Sequence, residues 1–228
     1  MSRKTVLVTG GSRGIGRAIC ESLSPDYHIL VGGRDEETVA KVVSSLESAE
    51  PWIVDISNED AVKQAASKID TLDGLVLSAG IAFNVPIAEA SHENWERMLG
   101  MNVIAQADLI RNLLPALRKS GGQVVVINSG SGFRANPRGG LYSASKFALR
   151  AMTDALREEE RGKIRVSSVH PGRVDTDMQV EIQDAAGRPY RAEDHLRPES
   201  VAAAVRLALD ASEDAMVEQI SVRPVNQI

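Results

Sequence analysis

Short apolar runs alternate with longer stretches of helical periodicity along nearly the whole chain. The runs fall at 4–9, 27–32, 51–54, 73–78, 122–128, 164–169 and 216–222. Such runs have the length of strands buried on both faces. Between them, Ile15, Ala18, Ile19 and Leu23 recur at helical spacing, as do Ala61, Val62, Ala65 and Ala66, and then Leu109, Leu113 and Leu117. Strands alternating with helices predict βαβ units, a parallel sheet and right-handed crossovers. The expected architecture is therefore α/β and doubly wound: a seven-stranded, mostly parallel sheet flanked by helices. Ala144, Ala148, Ala151, Met152, Ala155 and Leu156 give one further helix a stripe of small residues, suited to close packing on the sheet or on a partner helix. No repeat, low-complexity tract or linker interrupts the pattern, so one domain over 1–228 is expected. The least regular stretch, 177–197, is rich in Asp, Gln, Gly, Pro and Arg and reads as a loop.

Composition narrows the picture. A chain of 228 residues with 43% hydrophobic and 25% charged residues suits one soluble α/β domain. A net charge of −5 argues against a nucleic-acid partner, which calls for a basic patch. The single cysteine, Cys20, has no internal partner and falls in the first predicted helix as a small core hydrophobe. The first apolar run is too short for a signal peptide, and no window approaches a membrane span, so a cytoplasmic protein without a membrane partner is expected. Glu158-Glu159-Glu160 is expected to be a solvated helix end, because consecutive helix positions point different ways and cannot share a metal. No metal site is expected.

The chemistry concentrates in two places. The first strand runs into Gly10-Gly11-Ser12-Arg13-Gly14-Ile15-Gly16, and a helix follows until Pro25. Glycines in a strand–turn–helix context let the chain turn sharply, let backbone N–H groups approach a pyrophosphate, and let helix and strand pack closely. The helix N-terminus adds unpaired donors and a positive dipole end. The second place is Tyr142 and Lys146, four residues apart in a helical segment, hence on one face. An ammonium at that distance is expected to lower the phenol pKa toward working pH, as a general acid for carbonyl chemistry requires.

The spacing Thr9-Gly10-x-x-x-Gly14-x-Gly16, followed downstream by Tyr142-x-x-x-Lys146, resembles the short-chain dehydrogenase/reductase family in its single-domain, Rossmann-fold form. Further matches run in order. Asp55-Ile56 is similar to the family's adenine-contacting pair. Ser78-Ala79-Gly80 stands where relatives have Asn-Asn-Ala-Gly. Asn102 matches the helix asparagine of the catalytic tetrad, and Ser129 lies thirteen residues before Tyr142. Pro171-Gly172, with Val174 and Thr176 beyond, resembles the loop at the nicotinamide end, and 177–197 the variable substrate loop. The resemblance implies that Tyr142 donates the proton and Ser129 hydrogen-bonds the carbonyl oxygen. Lys146 tunes the tyrosine and binds the nicotinamide ribose, while Asn102 holds a water through a bent helix. It further implies a cofactor cradle of Gly10, Ser12, Arg13, Gly14, Ile15, Gly16, Arg34, Asp55, Ile56, Ala79, Gly80, Tyr142, Lys146, Pro171, Gly172, Val174 and Thr176. Ser131 stands as an alternative reactive hydroxyl. His170 replaces a common asparagine and reads as a strand-end hydrogen bonder.

Selection between NAD and NADP rests on the end of the second strand. There the NAD-selecting carboxylate position falls on Gly33, while Arg34 sits beside it and Arg13 is a second basic group. A planar guanidinium suits a 2′-phosphate, so NADP(H) is expected. Asp35 reads as the cap of the next helix, with Thr38 three residues on. The expected activity is an NADPH-dependent carbonyl reductase or alcohol dehydrogenase acting on a small carbonyl or alcohol substrate. The other class is a catalytically silent dinucleotide-binding regulator of the same fold. Phe133, Arg134, Pro137, Leu141 and Met178 are candidates to line the substrate pocket. A homodimer or homotetramer through the long helices is expected.

Overall fold

The first strand, β1 (Thr5–Thr9), is followed by helix α1 (Gly14–Leu23), and strand and helix then alternate along the computed structural model, which describes residues 3–185 and 187–225. The remaining strands are β2 (His28–Gly33), β3 (Ala49–Ile53), β4 (Gly74–Leu77), β5 (Gln123–Ile127), β6 (Arg165–Pro171) and β7 (Gln219–Val222). They form one sheet in the order β3-β2-β1-β4-β5-β6-β7, with every pairing parallel. Strand order reverses between β1 and β4, so the helices leaving those strands diverge and open a crevice at their carboxyl ends.

The apolar runs are continuous because both faces of the sheet are covered. Along β1, Val6 and Val8 join a core under α1 and α8 (Pro198–Leu209), built with Ile19, Leu23, Val201 and Val205. Leu7, on the opposite face, joins Leu75, Leu77 and Val126 under α3 (Glu59–Ala66), α5 (Ala105–Ser120) and α6 (Gly140–Glu159), which contribute Val62, Leu109, Leu113 and Leu149. Cys20 is buried in the first core, and its apolar surroundings push the thiol up to about 12. Helix α2 (Glu36–Val43) starts at Asp35, whose carboxylate accepts from the Thr38 amide at 2.8 Å. Helix α4 (His92–Leu99) passes into α5 through a single π turn, Gly100–Ile104.

Three sequence expectations need correction. The stretch 177–197 opens with a helix, α7 (Asp177–Ala185), hidden from pattern reading because Gln183 is its only buried side chain among those described. The segment also leaves and returns at one place: Val174 and Leu196 form a parallel bridge, with Asp175 N–H donating to Leu196 O at 2.8 Å and Leu196 N–H to Arg173 O at 2.9 Å. Glu160 is not solvated. It is 4% exposed and receives Arg118 Nε at 2.8 Å, which holds its carboxyl below the usual range. Finally, β7 is shorter than the apolar run that announced it. Among the described residues, no helix is long and apolar enough to cross a membrane, and no group of three or more His, Cys, Asp or Glu is arranged for a metal.

Candidate active site

A cavity of about 490 Å³ opens at the crevice between the ends of β1 and β4. Its floor is the glycine turn. Gly10 has φ +66°, and a Cβ there would lie 3.0 Å from the Ala79 backbone. A Cβ on Gly16 would lie 2.1 Å from the Gly10 carbonyl oxygen, so only glycine lets α1 start this close to β1. Arg13, at the N-cap, makes no side-chain capping bond, which leaves the first-turn N–H groups of α1 open to the cavity. This cradle fits the pyrophosphate of a dinucleotide. Thr9 ties the two strand ends together, its hydroxyl accepting from the Ser78 amide at 3.1 Å and the Ala79 amide at 3.2 Å.

Most of the expected cradle lines the cavity: Gly10, Ser12, Arg13, Gly14, Ile15 and Gly16, then Arg34, Ile56, Ala79, Gly80 and Thr176, with Met178 beside them. Asp55 does not. Its carboxylate accepts from Ser57 N at 3.0 Å and Ser57 Oγ at 2.7 Å, bonds that hold its pKa below the ordinary value. Val54 and Ile56 face the cavity on either side of it, as strand-like alternation requires. Pro171, Gly172 and Val174 also lie outside the lining, as do Tyr142 and Lys146. Gly172 N–H donates to Val222 O at 2.7 Å, and Val174 is buried in the core at the neck of the α7 segment. Trp52, Thr38, Ile81 and Met101 line the cavity although sequence reading passed over them. The position of Trp52 one residue before the end of β3 was the available signal, since ligands of open parallel sheets sit at strand carboxyl ends.

The catalytic candidates gather beside this cavity on three elements. Ser129 lies two residues past the end of β5; its hydroxyl oxygen accepts from Ser131 N–H at 3.1 Å, and its side chain is near enough to the Tyr142 phenol to favour the ionised form. Ser131 thus supports Ser129 with its backbone. Tyr142 and Lys146 lie one turn apart on α6, with Lys146 Nζ 5.8 Å from the Tyr142 ring centroid. Lys146 is 7% exposed and donates to Ile127 O at 3.1 Å, at the end of β5. Asn102 sits in the π turn. Its Oδ1 accepts from Ile81 N–H at 2.9 Å, and its Nδ2 donates to Ile81 O at 2.9 Å and to Ser145 Oγ at 3.0 Å. It therefore links the loop after β4 to the residue beside Lys146. A side chain at Gly80 would crowd it, with a Cβ 3.1 Å from Asn102 Oδ1.

The electrostatics correct one expectation. Burial raises the Tyr142 pKa above the usual phenol value, and the Ser129 hydrogen bond opposes it only in part. Burial equally pushes Lys146 down to about 8. Close spacing of the two groups does not by itself deliver a low-pKa phenol; desolvation outweighs it. Around the pair, Phe133, Arg134 and Pro137 are exposed on the loop between β5 and α6, whereas Leu141 is fully buried and lines no open surface. His170, 1% exposed at the end of β6, is hydrogen-bonded through both ring nitrogens, and burial lowers it to about 4.

Comparison with known proteins agrees with this geometry. The family model described as short chain dehydrogenase matches residues 4–187. An uncharacterized oxidoreductase of Staphylococcus saprophyticus is 33% identical, covering 97% of each chain. Dehydrogenase/reductase SDR family member 11 of Gallus gallus is 30% identical, over 99% of this chain and 97% of that one. Among solved structures, an alcohol dehydrogenase from the archaeon Thermococcus sibiricus complexed with 5-hydroxy-NADP superposes with a TM-score of 0.90 at 28% identity, covering 100% and 99% of the two chains. A metagenomic short-chain oxidoreductase in complex with NADP gives 0.84 at 26% identity, covering 98% of both.

Proposed function

We propose that this chain, which belongs to the short-chain dehydrogenase/reductase family and is an oxidoreductase, reduces a ketone or related carbonyl with NADPH, Tyr142 serving as the acid. One observation carries the reading: a cavity with Arg13, Arg34 and Ile81 on its wall is linked, through Asn102 bonded to Ile81 and Ser145, to the helix face that carries Tyr142 and Lys146. A bound nicotinamide supplies the hydride. As charge grows on the carbonyl oxygen, Tyr142 Oη gives up its proton to it and Ser129 Oγ–H donates a hydrogen bond to it. The raised phenol suits this direction, because Tyr142 stays protonated across neutral pH. Lys146 steadies the phenolate that remains and reaches the ribose hydroxyls. Asn102, held between Ile81 and Ser145, positions the π turn from which a water-borne proton path to Lys146 would start.

Preference for NADPH is supported by Arg34 beside Gly33, while the Asp35 carboxylate is occupied by the Thr38 amide. The names of the similar structures, two of them bound to NADP or a derivative, favour the same choice. An assembly of two or four copies through α5 and α6 is supported by the exposed side chains of Phe147 on α6 and of Ile104 at the end of the π turn that leads into α5. The test is NADPH and NADH consumption across ketones, diketones, quinones and acyl-thioester ketones. Turnover of at least one with NADPH preferred is expected. Tight NADPH binding with no turnover of any carbonyl would favour the silent regulator instead.

A further inference from the structure

We propose that His170 is a positioning residue for the reaction, fixing the catalytic serine from behind through the Ser129 carbonyl. The inference rests on the reading of Ser129 as the hydroxyl that meets the carbonyl oxygen. His170 Nδ1 lies 3.2 Å from Ser129 O, and Nε2 lies 2.6 Å from Ser168 Oγ. A carbonyl oxygen only accepts, so Nδ1 carries the proton; the neutral ring then accepts at Nε2 from the Ser168 hydroxyl. Ser168, itself 1% exposed, accommodates that tautomer by donating its hydroxyl proton to Nε2.

The surroundings hold the ring in that state. Phe133 packs against it with centroids 4.5 Å apart, and the Arg150 guanidinium lies over the Phe133 ring at 4.3 Å. Arg223 donates to the His170 carbonyl and approaches Gly130 in the turn after Ser129. Desolvation decides for the neutral ring and the two cations add to it, while the bond to the Ser129 carbonyl and, behind it, Asp154 on α6 oppose it. Ser129 is thus tied by four bonds: its amide donates to Asn128 Oδ1 at 2.8 Å, its Oγ accepts from Ser131, and its carbonyl accepts from Gly132 N–H at 3.0 Å and from His170. Only the last reaches across to another strand.

The two ring nitrogens can be tested apart. An asparagine in place of the histidine would offer an amide N–H near the Nδ1 position, and a glutamine one near the Nε2 position. His170→Asn is therefore expected to keep kcat within about threefold of wild type, with a carbonyl substrate from the screen above. His170→Gln and His170→Leu are expected to lose roughly ten- to thirtyfold in kcat, with the KM for NADPH unchanged. The double variant Ser129→Ala/His170→Leu should be no slower than Ser129→Ala, because both act on one hydroxyl. In the free protein, nitrogen NMR should find the ring neutral and protonated at Nδ1 at pH 7. Equal loss in the Asn and Leu variants, additive loss in the double variant, or an Nε2-protonated ring would each overturn the proposal. Full activity in Ser129→Ala would overturn the role of Ser129 itself and this inference with it; loss in Ser129→Ala beside an unaffected His170→Leu would overturn this inference alone.

Discussion

The two ends of the cleft are built by different means. At the β1 end, recognition is a matter of backbone: positive-φ glycines, an uncapped helix start, and a contact at Gly16 that leaves no room for a Cβ. At the β5–β6 end, it is a matter of side chains, and each one's properties depend on what buries it. Lys146 at 7% exposure and Tyr142 behind Ser129 have pKa values moved by desolvation, in opposite senses. A backbone-built site tolerates almost no substitution but needs no tuning. A side-chain-built site accepts substitution without losing the fold, and its chemistry is what changes.

The contrast can be broken most directly at the side-chain end. Tyr142→Phe should lower kcat by about 10²–10⁴-fold while NADPH binding stays within a factor of about three, measured by steady-state rates and fluorescence titration. If cofactor binding falls together with rate, the two ends are not separable. Gly16→Ala should do the reverse. The 2.1 Å overlap with the Gly10 carbonyl forces the turn apart, costing about 1–3 kcal/mol of stability and weakening NADPH binding at least tenfold by calorimetry.

Between these in kind, Arg34→Ala tests the one place where the nucleotide end uses a charge. Losing a charge-assisted phosphate bond worth about 1.5–3 kcal/mol should raise the KM for NADPH roughly ten- to hundredfold and leave NADH nearly unchanged. The smallest effect is on stability. The folded pKa of Lys146, about 8, lies below its value of about 10.4 in an unfolded chain. The buried ammonium therefore costs stability, fully below pH 8, and the cost fades as pH rises from 8 toward 10.4. Lys146→Met should stabilise the fold by about 1–3 kcal/mol at pH 7, after loss of the bond to Ile127 O, and abolish turnover. The gain, read as Tm, should shrink as the buffer is moved toward pH 10.

What the chain reveals by itself follows the same division. The glycine turn, the strand runs and the Asp35 cap are local, so spacing alone identifies them. Glu160 and Leu141 were misjudged because their surroundings come from elsewhere: Arg118 from α5 buries the first, and packing hides the second; Asp55 lies outside the cavity lining with its carboxylate on Ser57. The direction of the Tyr142 shift was unreadable for a similar reason, since adjacency on a helix is visible in sequence and desolvation is not. Helix α7 was missed because a helix that buries one described side chain leaves no stripe to count.

The bridge between Val174 and Leu196 has a practical meaning. Because the intervening stretch enters and exits through a single backbone clasp, closed further by the Tyr190 hydroxyl on Asp175, the sheet does not depend on what lies within it. Residues inside the clasp beyond Met178, which with Thr176 and Asp177 belongs to the cavity wall, form an exchangeable cassette: transplanting the corresponding stretch from a relative should change which substrates are accepted without rebuilding the protein beneath.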